Sequence, residues 1–169
     1  MSELILYGVS VGAGNLALSP MPGSGGDYAA DIELLGEWRP SLVVTLTTIE
    51  EMAAHGAAQL GLHIQEHGAR WVHLPIADYG VPSPEFEAKW PDVSRSILAA
   101  LNGGGRVLVH CRGGCGRSGM IVLRLMIEAG EASVEALERL REVRPCAVET
   151  KEQLAWAIHG GATQKDSKT

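Results

Sequence analysis

The sequence predicts an α/β domain with a central, mainly parallel sheet. Its 169 residues have the length of one ordinary domain, and 46% apolar against 20% charged residues is a globular balance. From residue 42 onward, short apolar runs alternate with longer amphipathic stretches, which is typical of strands joined by crossover helices. We therefore expect a single domain over residues 1–160 and a flexible C-terminal tail over 161–169.

The N-terminal elements are predicted from apolar runs broken by turn residues. Residues 4–10 and 15–19 flank a Gly-rich turn, which predicts two strands that add antiparallel edges to the sheet. Asp27 can cap a helix that ends before Pro40, and a buried strand follows at 42–46.

The middle of the chain contains a further helix and strand. Thr47 followed three residues later by Glu50 has the form of a capping box, so a helix is expected from there to Leu62. Residues 70–74 predict a third core strand, which leads into a proline-rich loop at 75–84.

The C-terminal half begins with a helix that Ser83 caps and Pro91 kinks or restarts before it ends near Leu101. A β-branched strand follows at 106–110. Three more helices are predicted: one opened by Ser118 and running to 129, one capped by Ser133 and running to 144, and one with a Thr150–Gln153 capping box running to about 158.

Charge and hydropathy exclude several function classes. The net charge of −6 lacks the footprint of a general nucleic-acid binder. No apolar run approaches the roughly 18 residues of a membrane span. Glu3, with no Lys or Arg nearby, is unsuited to a signal peptide. We expect a cytoplasmic protein without nucleic-acid or membrane partners.

The most informative segment is the loop HCRGGCGRSG at residues 110–119, between the last strand and the helix after it. Such a Gly-rich loop can turn its N–H groups inward as an anion nest at a helix N-terminus. Arg117 can hold two phosphate oxygens at once. Cys111 at the mouth of the nest is expected to be a nucleophilic thiolate, with Ser118 donating to its sulfur and His110 bracing the loop.

This loop resembles the His-Cys-x5-Arg-Ser signature of cysteine-dependent protein phosphatases. Residues 74–80, LPIADYG, resemble the general-acid loop of the dual-specificity branch, especially the cyclin-dependent-kinase-associated phosphatase type and its bacterial relatives. The similarity covers roughly residues 42–158. It implies the three-layer cysteine-phosphatase fold, in which helices flank both faces of the central, mainly parallel sheet.

The resemblance also implies a two-step mechanism. Cys111 attacks phosphorus, a phosphocysteine forms, and water hydrolyses it, while an acid protonates the leaving oxygen. The residues expected to bind the phosphate are Arg112, Gly113, Gly114, Cys115, Gly116 and Arg117. The implied substrate is a phosphotyrosine protein or peptide, with phosphoserine and phosphothreonine as further substrates. Phosphate, sulfate and vanadate are the expected site ligands, and no metal or other cofactor is implied.

Two aspartates compete for the role of the acid. Asp78 precedes Cys111 by the length of a crossover helix and a strand, close to the interval in the family. Asp92 belongs to the triplet Trp90-Pro91-Asp92, which names the acid loop of tyrosine-specific phosphatases, but it falls in a first helical turn and follows no strand. We therefore expect Asp78 to be the acid.

Gln153 stands where the family often places a glutamine that positions the hydrolytic water or lines the pocket. Capping the last helix is an equally good role for this residue.

Other functions stay open at this stage. Because the loop recognises phosphate and not its carrier, an inositol phosphate, a phosphoinositide or a nucleotide is an alternative substrate. A second alternative is a phosphate-binding or thiol-redox module without turnover. Three cysteines cannot all pair, and two of them share the loop, which favours reactive thiols over a disulfide framework. Cys115 could trap an oxidised Cys111, or fill a small apolar slot. Sulfurtransferases and arsenate reductases also place cysteine in anion-binding loops.

Overall fold

A computed structural model of the chain describes the backbone of residues 2–166 and the side chains of residues 2–160. The strands are β1 (Tyr7–Val11), β2 (Gly14–Ser19), β3 (Leu42–Thr45), β4 (Arg70–His73) and β5 (Arg106–His110). The helices are α1 (Tyr28–Trp38), α2 (Ile49–Ala54), α3 (Leu60–Glu66), α4 (Pro84–Asn102), α5 (Gly116–Glu128), α6 (Ser133–Val143) and α7 (Lys151–Asp166). α7 kinks at Gly160, and the predicted tail at 161–169 lies outside the residues whose side chains are described.

The five strands form one sheet in the order β1-β2-β5-β3-β4, which confirms the predicted α/β class. β2 pairs parallel with β5, so β1 is the one antiparallel edge, where the sequence predicted two. β5 shows why helices cover both faces. Its Val107 and Val109 pack in the core with α4, α5, α6 and α7, whereas Leu108 packs in the core with α1, α2 and α3.

The predicted helix from Thr47 to Leu62 is wrong in two respects. It divides into α2 and α3, because the turn between them passes through Gly56 at φ +72°. The capping box is also one residue later. The Thr48 hydroxyl accepts from the Glu51 N–H (3.2 Å), and the Glu51 carboxylate accepts from the Thr48 N–H (3.0 Å).

Four smaller predictions also need correction. β4 is a half-exposed edge strand and not a core strand, because only β3 pairs with it. α4 runs through Pro91 without interruption. α5 begins at Gly116 instead of Ser118. The N-cap of α6 is Ala132, so Ser133 lies in its first turn and does not cap it.

The carboxyl ends of β3, β4 and β5 meet at one edge of the sheet, because these neighbouring strands are parallel. Backbone hydrogen bonds continue past the strand ends, from Leu46 N–H to His110 O (3.0 Å) and from Ile76 N–H to Leu46 O (2.9 Å). This pairing brings the loops after β4 and β5 together. No helix in the described part of the chain is long and apolar enough to span a membrane.

Candidate active site

Cys111 lies at the bottom of a small pocket at the carboxyl end of β5, where it is only 2% exposed. Its Sγ accepts a hydrogen bond from the Gly114 N–H (3.3 Å) and lies 3.3 Å from the Ser118 hydroxyl oxygen. The pocket encloses about 70 Å³ and is lined by Asp78, Tyr79, Cys111, Arg112, Gly113, Cys115, Gly116, Arg117 and Glu149. The structure therefore groups the predicted nucleophile, phosphate clamp and acid in one pocket.

The phosphate loop, residues 111–117, is held from outside by its carbonyl groups. The Arg112 carbonyl accepts from the Met21 N–H (3.1 Å), and the Cys115 carbonyl accepts from the Val148 N–H (3.1 Å). The Arg144 guanidinium donates to the Gly113 and Gly114 carbonyls, at 2.9 and 3.0 Å. These bonds turn the carbonyl groups away from the pocket, as an inward-facing anion nest requires. Only glycine fits at position 114 of this loop, because φ there is +73° and a Cβ would lie 2.5 Å from the Pro20 nitrogen.

His110 braces this loop in a single tautomer. Complete burial lowers the pKa of His110 to about 4, so the ring is neutral at pH 7. Its Nδ1 faces the Cys111 carbonyl oxygen (3.2 Å), which can only accept, so Nδ1 carries the proton. Nε2 therefore accepts from the Thr45 hydroxyl (2.7 Å), whose oxygen in turn accepts from the Trp71 indole N–H (2.8 Å).

Arg117 is oriented by Glu51, a residue that sequence analysis did not single out. The two guanidinium Nη atoms of Arg117, a side chain only 2% exposed, donate to the two oxygens of Glu51 at 2.7 and 2.8 Å. Burial raises the pKa of Glu51, but hydrogen bonds from Arg117 and Thr48 outweigh burial and lower it to about 2. The Glu51 carboxylate is thus a fixed anionic anchor at neutral pH.

Counting the donors of Arg117 shows what is left for a ligand. A guanidinium has five N–H groups. Nη1 donates both of its hydrogens, one to Glu51 and one to the Ile76 carbonyl (2.9 Å), and Nη2 donates one of its hydrogens to Glu51. Among the described residues, neither the Nε hydrogen nor the second Nη2 hydrogen has a hydrogen-bond acceptor, although Asp78 Oδ1 lies 3.3 Å from Nη2. These two hydrogens point from the same edge of the guanidinium. This pair matches two oxygens of one phosphate.

Asp78 sits on the other side of the pocket, in residues 74–84, which we call the acid loop after the predicted role of Asp78. Its Oδ1 lies 3.3 Å from Nη2 of Arg117 and accepts from the Tyr79 N–H (3.0 Å). The Asp78 side chain is 42% exposed, so it can reach a substrate that enters from solvent. A bound phosphate would compete with Asp78 for the second Nη2 hydrogen of Arg117.

The competing Asp92 lies outside this pocket. It is on the outer surface of α4, where it pairs with Arg95 (2.9 Å) and is 85% exposed. The neighbouring Trp90 points inward, stacks on Phe86, and donates its indole N–H to Glu128 (2.9 Å). The Trp-Pro-Asp triplet therefore contributes a core side chain and a surface ion pair within a helix.

Gln153 is fully buried and is not among the residues that line the pocket. The predicted Thr150–Gln153 capping box is confirmed, since the Gln153 N–H donates to the Thr150 hydroxyl (3.0 Å) and the Thr150 N–H donates to the Gln153 amide oxygen (3.3 Å). Its amide nitrogen reaches across to the acid loop and donates to the Gly80 carbonyl (3.1 Å).

The preference for reactive thiols over a disulfide is wrong for two of the three cysteines. Cys115 and Cys146 form a disulfide, with their Cα atoms 5.2 Å apart, and Cys111 is the free cysteine. Cys115 is half-exposed, so it fills no buried apolar slot either. With its sulfur bonded to Cys146, Cys115 has no thiol with which to trap an oxidised Cys111. The disulfide instead links the phosphate loop to the segment between α6 and α7.

Sequence reasoning missed four residues around the site: Glu51, Tyr79, Arg144 and Glu149. Tyr79 and Glu149 line the pocket. Tyr79 could have been found because it directly follows the predicted acid. Glu51 lies far from the loop along the chain, and Arg144 ends the helix predicted to run to residue 144, so nothing in the sequence connects either residue with the loop.

Residues 44–159 match the family model described as dual specificity phosphatase, catalytic domain. Cyclin-dependent kinase inhibitor 3 of Mus musculus is 28% identical over 115 residues, which cover 68% of this chain and 53% of that protein. The chain spans about half the length, or less, of the curated relatives it matches.

Two solved structures share the fold over nearly their whole length. The kinase associated phosphatase superposes with a TM-score of 0.85 at 21% identity, covering 100% of this chain and 99% of that one. PTPMT1 in complex with PI(5)P superposes with a TM-score of 0.74 at 17% identity, covering 96% and 99%. At these identities the likeness shows the fold, which is the predicted cysteine-phosphatase fold.

Proposed function

Because the chain belongs to the dual specificity phosphatase catalytic-domain family, we propose that it hydrolyses phosphotyrosine in proteins, and also phosphoserine and phosphothreonine, through a phosphocysteine. The observation that carries the proposal is the position of Cys111 Sγ. It lies beneath an inward-facing anion nest, in one pocket with the two free donors of Arg117 and the carboxyl group of Asp78. The partner we propose is a phosphorylated protein in the cytoplasm.

In the first step, the Cys111 thiolate attacks phosphorus, and the S–P bond forms as the bond to the leaving oxygen breaks. The phosphoryl oxygens bind the nest of residues 112–116 and the free Nε and Nη2 hydrogens of Arg117, which stabilises charge in the transition state. Asp78, released from Arg117 by the phosphate, takes up a proton from solvent and gives that proton to the leaving oxygen.

In the second step, water attacks the phosphocysteine, and Asp78 accepts a proton from that water. The S–P bond breaks, and the electron pair returns to Cys111 as a thiolate. The Ser118 oxygen, 3.3 Å from the sulfur, is placed to donate its hydrogen to that thiolate. His110 takes no part in proton transfer, because both ring nitrogens are engaged in bracing the loop. The family resemblance gives Gln153 the role of positioning this water, but Gln153 is fully buried, does not line the pocket and uses both ends of its amide on backbone groups, so we assign it no contact with the water.

The rim of the pocket favours an aromatic phosphate ester on a protein. Tyr79 is 64% exposed at the mouth and offers a ring against which a phenyl group can pack. Cys111 lies at the bottom, 2% exposed, so a long side chain such as tyrosine reaches it more easily than a short one.

A phosphoinositide is the second candidate substrate, and a specific observation favours it. PTPMT1, which shares the fold, has been solved with PI(5)P. Against it, residues 111–117 contain no lysine, and Arg112 is the one cation of that loop besides Arg117.

The test is hydrolysis of an aryl phosphate at mildly acidic pH, followed by phosphotyrosine and phosphothreonine peptides and by vesicles containing PI(5)P. Cys111→Ser should abolish turnover while leaving vanadate or phosphate binding largely intact, because the nest and Arg117 remain. Activity should be sensitive to vanadate and insensitive to EDTA. If phosphate is released faster from the PI(5)P vesicles than from the peptides, the substrate is assigned as the lipid. If the wild-type protein binds phosphate but hydrolyses none of these substrates, a binding module is favoured.

A further inference from the structure

Gln153 is committed to backbone partners on two different segments. Its amide oxygen accepts from the N–H groups of Glu149 (2.9 Å) and Thr150 (3.3 Å), both at the start of α7. Because N–H groups can only donate, the atom that faces them must be the oxygen. The amide nitrogen must then face an acceptor, and it does so at the Gly80 carbonyl, 3.1 Å away. The capping box therefore aims the Gln153 NH₂ group at the acid loop.

Gly80 ends the turn that carries the general acid. Its N–H donates to the Ala77 carbonyl (2.8 Å), which closes a four-residue turn with Asp78 and Tyr79 at the centre. Tyr79 has φ +59°, a left-handed conformation that is strained for a residue with a Cβ. Such a turn persists only when its surroundings hold it.

The acid loop is held on both sides of this turn. Before it, the Ile76 N–H donates to Leu46 O (2.9 Å). After it, the Gly80 carbonyl accepts from Gln153, which is completely buried and anchored in turn by α7. We propose that Gln153 is a positioning residue for the general acid. By holding Gly80, it keeps Asp78 over the pocket and so acts in the step in which the leaving group departs. This inference rests on the proposed function.

This role differs from water positioning in the step that it affects. Loss of acid positioning slows the first step, and the loss grows with the basicity of the leaving group, because a good leaving group needs no proton. Loss of water positioning slows the second step, so phosphocysteine accumulates while kcat/KM, which reports only the first step, is unchanged.

The experiment compares wild type with Gln153→Met across aryl phosphates whose leaving groups range from acidic to weakly acidic phenols. kcat/KM should change by less than about 3-fold for the most acidic phenol and fall by roughly 10²-fold for phenol itself, within the range of general-acid effects. Gln153→Glu should behave similarly at pH 7, since the carboxylate keeps the cap but cannot donate to Gly80. This second variant keeps the test available if Gln153→Met does not fold. Thr150→Val is the control, because it weakens the same cap without touching Gly80 and should leave the leaving-group dependence unchanged.

A double-mutant cycle completes the test. In an Asp78→Asn background, Gln153→Met should add little further loss, because the acid that it positions is already absent. A fully additive loss would overturn the inference. So would an unchanged kcat/KM series with a burst of product and trapped phosphocysteine, which is the signature of water positioning. An Asp78→Asn variant that hydrolyses all esters at the wild-type rate would instead overturn the acid assignment in the proposed function, and the inference with it.

Discussion

The pairing of Arg117 with Glu51 determines which edge of the guanidinium is offered to a ligand. A free arginine side chain samples many rotamers, and holding it ready for phosphate would cost entropy at each binding event. Here Glu51 and the Ile76 carbonyl occupy three of the five N–H groups in advance. A phosphate ligand would therefore meet a preorganised pair of donors.

Glu51→Gln should weaken both the fold and the site. One amide oxygen can replace only half of the bidentate pair, and a buried guanidinium is left partly unpaired. We expect a loss in the free energy of unfolding on the order of 1–3 kcal/mol at pH 7, and weaker vanadate binding.

The pH dependence of this difference tests its cause. The folded-state pKa of Glu51, about 2, lies below its usual 4.5, so its contribution to stability is present above pH 4.5 and is lost as the pH falls toward 2. In urea unfolding, the difference in the free energy of unfolding between wild type and Glu51→Gln should become smaller as the pH falls from 4.5 toward 2. A difference that is constant from pH 7 to pH 2 would show that charge is not responsible.

At the scale of elements, the proposed acid lies on a loop and the competing Trp-Pro-Asp triplet lies on a helix. The acid loop follows β4, at the edge of the sheet where the phosphate loop also begins, so its carboxylate meets Arg117. The Trp90-Pro91-Asp92 triplet lies inside α4, where Trp90 packs against Phe86 and Asp92 points to solvent.

Asp78→Asn should slow hydrolysis of esters with poor leaving groups by roughly 10²- to 10⁴-fold, and should have much less effect on activated esters. Asp92→Asn should change kcat/KM by less than about 2-fold, since Asp92 is a surface partner of Arg95. The measurement is kcat/KM of the two variants on phosphotyrosine peptides. A large loss in Asp92→Asn with none in Asp78→Asn would reverse the assignment.

At the scale of the whole molecule, a covalent bond joins the phosphate loop to the C-terminal helices. The Cys115–Cys146 disulfide closes a stretch of chain that contains all of α5 and α6. Arg144, two residues before Cys146, also holds the Gly113 and Gly114 carbonyls. The loop is thus fixed both covalently and by charge-assisted hydrogen bonds.

Cys146→Ser should lower the free energy of unfolding by about 2–4 kcal/mol, because the unfolded chain regains the freedom that the cross-link removed. Activity should change far less than stability, since the contacts of Arg144 with the loop remain. Urea unfolding should show that a thiol reductant destabilises wild type but leaves Cys146→Ser unchanged. Equal sensitivity of the two proteins to reductant would argue against the disulfide.

Prediction from sequence succeeded where the interactions are local. The residues from Cys111 to Ser118 belong to one strand–loop–helix turn, so their spacing alone placed the Cys111 sulfur, the Ser118 hydroxyl and the loop N–H groups together. The buried strand β5 and the Thr150–Gln153 cap were predictable for the same reason. The missing parts depend on tertiary contacts. Glu51 reaches Arg117 only through the parallel register of the sheet, and a one-residue shift in the capping box concealed which glutamate was engaged.

The contacts of the N-terminal strands set a lower limit on the size of a working catalytic unit. The span shared with the family starts at residue 44, after β1 and β2. Yet β2 is the direct neighbour of β5, the Met21 N–H holds the Arg112 carbonyl, and the Tyr7 ring lies 4.3 Å from the Arg144 guanidinium. A shortened protein trimmed to the shared span would expose one side of the strand that leads into the predicted nucleophile. Truncation for expression or redesign should therefore retain the chain from β1 onward.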